Sequence, residues 1–268
     1  MRRSRGRRSA GLWLAIAVLC ACRGEPVGAQ KPQAIQRLVD SLKPAVERAA
    51  GLSFKAPVRA ALRDKAAVRS YLLAKLDEQM PASRRKHVAT AYRLFGLLPD
   101  TLDLDRLLVD LYAEQVAGYY EPDSTTLYGV TGADPAQLRL VVAHEMVHAL
   151  QHQYTPVDSI MRQTDDGDRL AAAQSVLEGQ ATLVSIDAIT PPGQSVTADP
   201  IFWESFREQL SGEQGSMRLL ARAPLVLREG LIFPYLGGAE FMQWWRNSHP
   251  ARTMPFGNAM PTSTEQIL

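Results

Sequence analysis

The chain has 268 residues, 46% of them apolar and 22% charged, enough for one medium domain or two small ones around a buried core. Its formal +2 rests on Arg2, Arg3, Arg5, Arg7 and Arg8; without those five, 25 basic residues face 28 acidic ones, about −3. No basic tract survives, which removes the electrostatic support for a nucleic-acid partner.

Met1 to Arg8 is a basic stretch followed by the apolar run Gly11 to Cys20. A run of this length is far short of the ~20 residues a membrane-spanning helix needs, so the pattern predicts an export signal. Two cleavage positions compete. Val27-Gly28-Ala29 is a small-x-small site, with cleavage after Ala29. Leu19-Cys20-Ala21-Cys22 resembles a lipobox, with cleavage after Ala21, a lipidated Cys22 and attachment to a membrane. Either route predicts an exported protein: periplasmic, secreted or a membrane-anchored lipoprotein. Cys20 and Cys22 are the only cysteines, so a mature chain has no disulfide and no thiolate ligand for a metal.

Beyond the signal (1–29) the pattern predicts a helical N-terminal region (30–100) and a core (101–268). Apolar residues at three- and four-residue spacing predict helices over Ala34–Ala50, Pro57–Glu78 and Ser83–Phe95, the last ended by Gly96 and Pro99. Asp103–Ala117 is a fourth amphipathic helix. Gly118 to Val130 then gathers aromatic and β-branched residues around Pro122-Asp123-Ser124, which predicts a β-hairpin, alone or as part of a sheet. Asp134 and Pro135 open a helix to about Gln153. A charged loop (Asp158–Asp168) and helices over Arg169–Ala188, Pro200–Arg222 and Leu231–Asn247 complete a mainly α chain with a small β-hairpin or sheet, an α+β class.

The Asp134 helix carries His144-Glu145-Met146-Val147-His148. Residues four apart project from one helical face, about 40° and ~6 Å apart, which is the placement two imidazoles need to share one zinc ion. Glu145 lies on the same side, where it can move a proton between water and a leaving group. The other positions are almost all apolar, so these three side chains need a metal or hydrogen-bonding partners. For a third ligand, His152 extends the row but points past the pair. The His-x-x-Gly-x-x-His continuation of metzincins fails, because Gln151 and Tyr154 occupy its positions. Glu178, in Ser175-Val-Leu-Glu-Gly-Gln-Ala-Thr182, is a lone carboxylate on a second apolar helix and the best candidate, against a capping or salt-bridge role. Gly179 beside it would let the two helices approach closely.

HExxH followed by Glu-Gly-x-Ala-Thr resembles gluzincin-type zinc metallopeptidases, in particular poorly characterised exported bacterial proteins. The resemblance extends to Gln115–Pro122, Ile232–Tyr235 and Pro261–Leu268, about the C-terminal 155 residues. It does not extend to the helices between Ala34 and Phe95. In relatives the last motif runs onward, so a segment is expected beyond Leu268. The resemblance implies a zincin-like core, Zn2+ held by His144, His148 and Glu178, Glu145 as catalytic base, and a peptide or protein substrate.

Other residues carry weaker signals. Tyr119, Tyr120, Tyr235 and His249 could stabilise an oxyanion. Thr126–Val130 could be the edge strand that holds a substrate backbone. Asp168 and Asp187 could orient a ligand histidine, or Asp168 could cap a helix. Trp244, Trp245 and Phe241 read as core. A di-iron bundle needs a second Glu-x-x-His; Arg84, Val141, Ala149 and Arg246 stand at that position before His87, His144, His152 and His249, which excludes it. The remaining alternative is an inactive exported protein that keeps zinc to hold its helices.

Overall fold

Ile35, Val39, Leu42 and Val46 recur along one stripe, and α1 (Pro32–Ala50) buries that stripe completely. The computed structural model describes residues 32–161, 166–211, 217–251 and 254–268. The expected export signal and both expected cleavage positions, with Cys20 and Cys22, lie outside those residues. Among the described residues the chain is mainly helical with one three-stranded sheet, and no helix is long and apolar enough to cross a membrane.

The first departure from the sequence pattern follows α1. The expected helix over Pro57–Glu78 is instead strand β1 (Arg59–Arg63) and helix α2 (Lys65–Gln79). Asp64 makes the break: its side chain accepts from Ala67 N at 2.7 Å and caps α2, which leaves the preceding residues free to pair. Helices α3 (Ala82–Leu94) and α4 (Leu104–Gln115, capped by Asp103) follow, then the hairpin of β2 (Gly118–Glu121) and β3 (Thr126–Val130). Strand order is β1-β3-β2, with β3 parallel to β1 (Arg59 opposite Thr126) and antiparallel to β2 (Tyr120 opposite Leu127). Thr126–Val130 is therefore the central strand and both its edges are used. It cannot be the free edge the sequence reading assigned to it; that position belongs to β2.

Alternation along the strands gives the sheet two dissimilar faces. Tyr120 and Leu127 pack toward α1 and the next helix, α5 (Pro135–Tyr154), whereas Tyr119 and Val130 pack on Val68 and Leu72 of α2. On the first face the approach is tight: a Cβ at Gly129 would lie 2.5 Å from Ile35 Cδ1, and one at Gly118 2.7 Å from Val141 Cγ1.

α5 starts where Asp134 accepts from Ala136 N and Gln137 N, with Pro135 in the first turn. A short helix α6 (Val157–Met161) occupies the first part of the expected charged loop; the rest falls largely on residues outside the description. Helix α7 (Gly167–Ile189) is buried along most of its length between α5 and α10 (Leu225–Ser248). At the α7–α10 crossing two glycines meet. A Cβ at Gly179 would lie 2.0 Å from the carbonyl carbon of Gly238, and one at Gly238 2.0 Å from Ser175 O. Gly179 thus serves the contact with α10, not the approach to the HExxH helix expected from sequence.

The single helix expected over Pro200–Arg222 is described as two, α8 (Pro200–Ser211) and α9 (Arg218–Arg222). Phe241 and Trp245 are core residues as expected, but Trp244 is 55% exposed. Near the C-terminus, Ile267 is buried in the cluster that α7 and α10 share, and Asp168 accepts from Thr264 N and Oγ1.

Candidate metal centre

α5 and α7 place three potential ligand atoms against one another in the interior. His144 Nε2 lies 3.1 Å from Glu178 Oε2, His148 Nε2 3.1 Å from His144 Nε2, and His148 Nε2 3.5 Å from Glu178 Oε2. The two rings meet edge to face, so both Nε2 atoms converge without stacking. A tetrahedral ion with bonds of ~2.0–2.1 Å requires its ligand atoms to be about 3.3–3.4 Å apart. The observed spacing therefore fits one metal ion, and the group is able to hold one. His148 and Glu178 are buried; His144, at 7% exposure, is the most accessible of the three.

Glu145 is fully buried beside this group. Its Oε2 accepts from the backbone N–H of Tyr120 at 2.7 Å, and its Oε1 has no hydrogen-bond partner among the described residues. The β2 edge thus fixes one carboxylate oxygen and leaves the other unengaged. Burial pushes the Glu145 carboxyl up to about 8, with Glu178 adding to the rise and His148 and the Tyr120 N–H opposing it. Burial likewise lowers His144. At His148 burial acts in the same direction but Glu178, Glu145 and Gln151 together outweigh it, so that ring is raised; Glu178 is held low by His148 and His144 despite its own burial. Among the described residues, Glu178 and His148 are the charges acting on Glu145, His148 and His144 are those acting on Glu178, and none of them is an Arg or Lys. Two buried carboxylates without a fixed cation make a pocket suited to a positive ion.

One contributor is absent from the sequence reading except as a failed metzincin glycine. Gln151, fully buried one turn after His148, places Oε1 2.9 Å from His148 Nδ1. Its Nε2 donates to Leu177 O at 2.8 Å and to Gln180 Oε1 at 2.9 Å, which ties α5 to the segment of α7 that carries Glu178. The legible signal was its i+3 spacing from His148 on the buried face.

The weaker candidates separate by position. Tyr235 is buried on α10 with its ring centroid 6.0 Å from that of His144. Tyr119 faces the other side of the sheet, stacked on Tyr71 and hydrogen-bonded by Arg63. Tyr120 contributes its backbone, while its ring packs on His152. His249 stacks on Trp245 at 3.9 Å, away from the group. His152 lies outside the triad, its Nε2 3.7 Å from Asp158 Oδ1. Neither aspartate orients a ligand: Asp187 binds Arg246 and Thr197, and Asp168 binds Thr264 while Asp166 caps α7. Comparison with protein-family models, with curated proteins and with solved structures gives no match.

Proposed function

We propose that the chain is an exported zinc-dependent hydrolase of the gluzincin type that cleaves peptide bonds, with His144, His148 and Glu178 as ligands and Glu145 as general base. The observation that carries the reading is the juxtaposition of three convergent ligand atoms with a buried carboxylate that has one oxygen held and the other unengaged. Zinc, when bound, supplies a Lewis acid that acidifies water and polarises a carbonyl oxygen. The protein contributes the rest. Tyr120 N–H holds Glu145 Oε2 and leaves Oε1 to accept a proton from the attacking water. The raised proton affinity of Glu145 favours that acceptance, and the resulting carboxylic acid gives the proton to the departing amine nitrogen. Tyr235, whose ring lies 6.0 Å from that of His144, is the residue assigned to donate to an oxyanion.

The depth of the site supports a second reading, in which zinc fastens α5 to α7 without turnover. Structural zinc sites usually have four protein ligands, and the group here supplies three. Metal analysis of the purified protein, with peptide-library cleavage by wild type and Glu145→Gln, separates the readings. We expect one zinc per chain in both proteins and cleavage by the wild type alone. Equal, negligible cleavage by both would leave the fastening role; absence of zinc would remove both readings.

A further inference from the structure

We propose that Gln151 is a positioning residue that fixes the ring tautomer of His148, presenting the Nε2 lone pair to the metal, and that it does so through an amide whose orientation α7 dictates. This rests on the metal-binding reading above.

The inference follows from the only way these hydrogen bonds can be satisfied. Leu177 O is a backbone carbonyl and can only accept, so the Gln151 atom 2.8 Å from it must be the amide nitrogen. That places Gln151 Oε1, an acceptor only, against His148 Nδ1 at 2.9 Å. Nδ1 must therefore carry the proton that bridges them. A neutral His148 then has its lone pair on Nε2, the atom 3.1 Å from His144 Nε2 and 3.5 Å from Glu178 Oε2. The second Gln151 N–H goes to Gln180 Oε1, so the amide cannot rotate without breaking two bonds to α7. Gln151, Gln180 and Leu177 are all buried, and no exchange with bulk water relaxes the arrangement. The ligand orientation on α5 is thus set by a main-chain carbonyl of α7 one residue before Glu178. Outer partners of this kind govern metal affinity by roughly ten- to a hundredfold.

Zinc affinity, by competition with a chromophoric chelator, and long-range 1H–15N correlation of the zinc-loaded histidines test the role in three variants. Gln151→Leu and Gln151→Met remove the acceptor, the second while keeping the length of the side chain, and Gln180→Leu removes one of the two interhelical links while leaving the acceptor. We expect wild type and Gln180→Leu to bind zinc within about threefold of one another and to show a His148 Nδ1–H signal. Gln151→Leu and Gln151→Met should bind roughly ten- to a hundredfold more weakly and lose that signal. Unchanged affinity and signal in Gln151→Leu would overturn the role, as would equal losses in Gln151→Leu and Gln180→Leu, which would make the contact a helix fastener only. If Gln151→Leu does not fold, Gln151→Met decides: weakened binding without the signal supports the role, and wild-type affinity with the signal overturns it. A wild type that binds no zinc would instead overturn the metal reading on which this role depends.

Discussion

Helix α7 is held on two sides by opposite means. Toward α5 it meets polar side chains: Glu178 reaches His144 and His148, and Gln180 with the Leu177 carbonyl holds Gln151. Toward α10 it presents no side chain at the crossing, because Gly179 and Gly238 lie backbone to backbone. The polar contact has a geometry that chemistry defines, and a substitution there removes an interaction while leaving room. The glycine contact is defined by exclusion, and any substitution there inserts atoms where backbone already lies. One side of the helix is therefore expected to govern function at modest structural cost, and the other to govern folding.

The largest expected effect is on the glycine side. Gly179→Ala or Gly238→Ala should destabilise the fold by about 3 kcal/mol or more, a fall in Tm of roughly 6–12 °C, since a backbone clash cannot be relieved by a rotamer change. Calorimetry showing an unchanged Tm for both would break the comparison. On the polar side, Glu178→Gln preserves shape and removes the charge. It should cost at least a hundredfold in zinc affinity, measured by chelator competition, while the far-ultraviolet circular dichroism spectrum stays native. Retention of zinc at wild-type affinity would show that the carboxylate is not a ligand.

The smallest effect lies at the start of α7, where Thr264 donates two hydrogen bonds to Asp168 and lowers its carboxyl below the ordinary aspartate value of 3.8. A depressed carboxyl stabilises the fold above its unfolded value and ceases to do so as pH falls through the folded one. Thr264→Val should lower Tm on the order of 1–2 °C near pH 6, with the difference shrinking below pH 4. A difference that grows with acidity would contradict the sign.

What was legible in the sequence follows the same division. His144, Glu145 and His148 are related by helical spacing alone, and Asp134-Pro135 announces the helix that carries them. Glu178 could be singled out because no cysteine follows Cys22 and a carboxylate in an apolar helix wants a partner. Relations between distant segments were not legible. Arg59–Arg63 reads Arg-Ala-Ala-Leu-Arg, good helix formers, and becomes a strand through pairing with β3 and the Asp64 cap, neither of which periodicity expresses. Gly179 suggested a close approach, but the identity of its partner depends on Gly238 in a separate helix. Gln151 was visible only as the residue that violates a known spacing, because its role depends on a carbonyl of α7.

Glu178 and Gly179 are adjacent, yet one serves α5 and the other α10. Successive helical residues are rotated by ~100°, so that adjacency sets the angular phase between the two neighbours of α7. Inserting or deleting one residue ahead of this pair, within the helix, would turn both out of place together. The carboxylate would leave the histidines, and a side chain would enter the glycine crossing. A change of length is accordingly expected to be tolerated in the connections on either side of α7 and not within it, so the helix behaves as a reading frame.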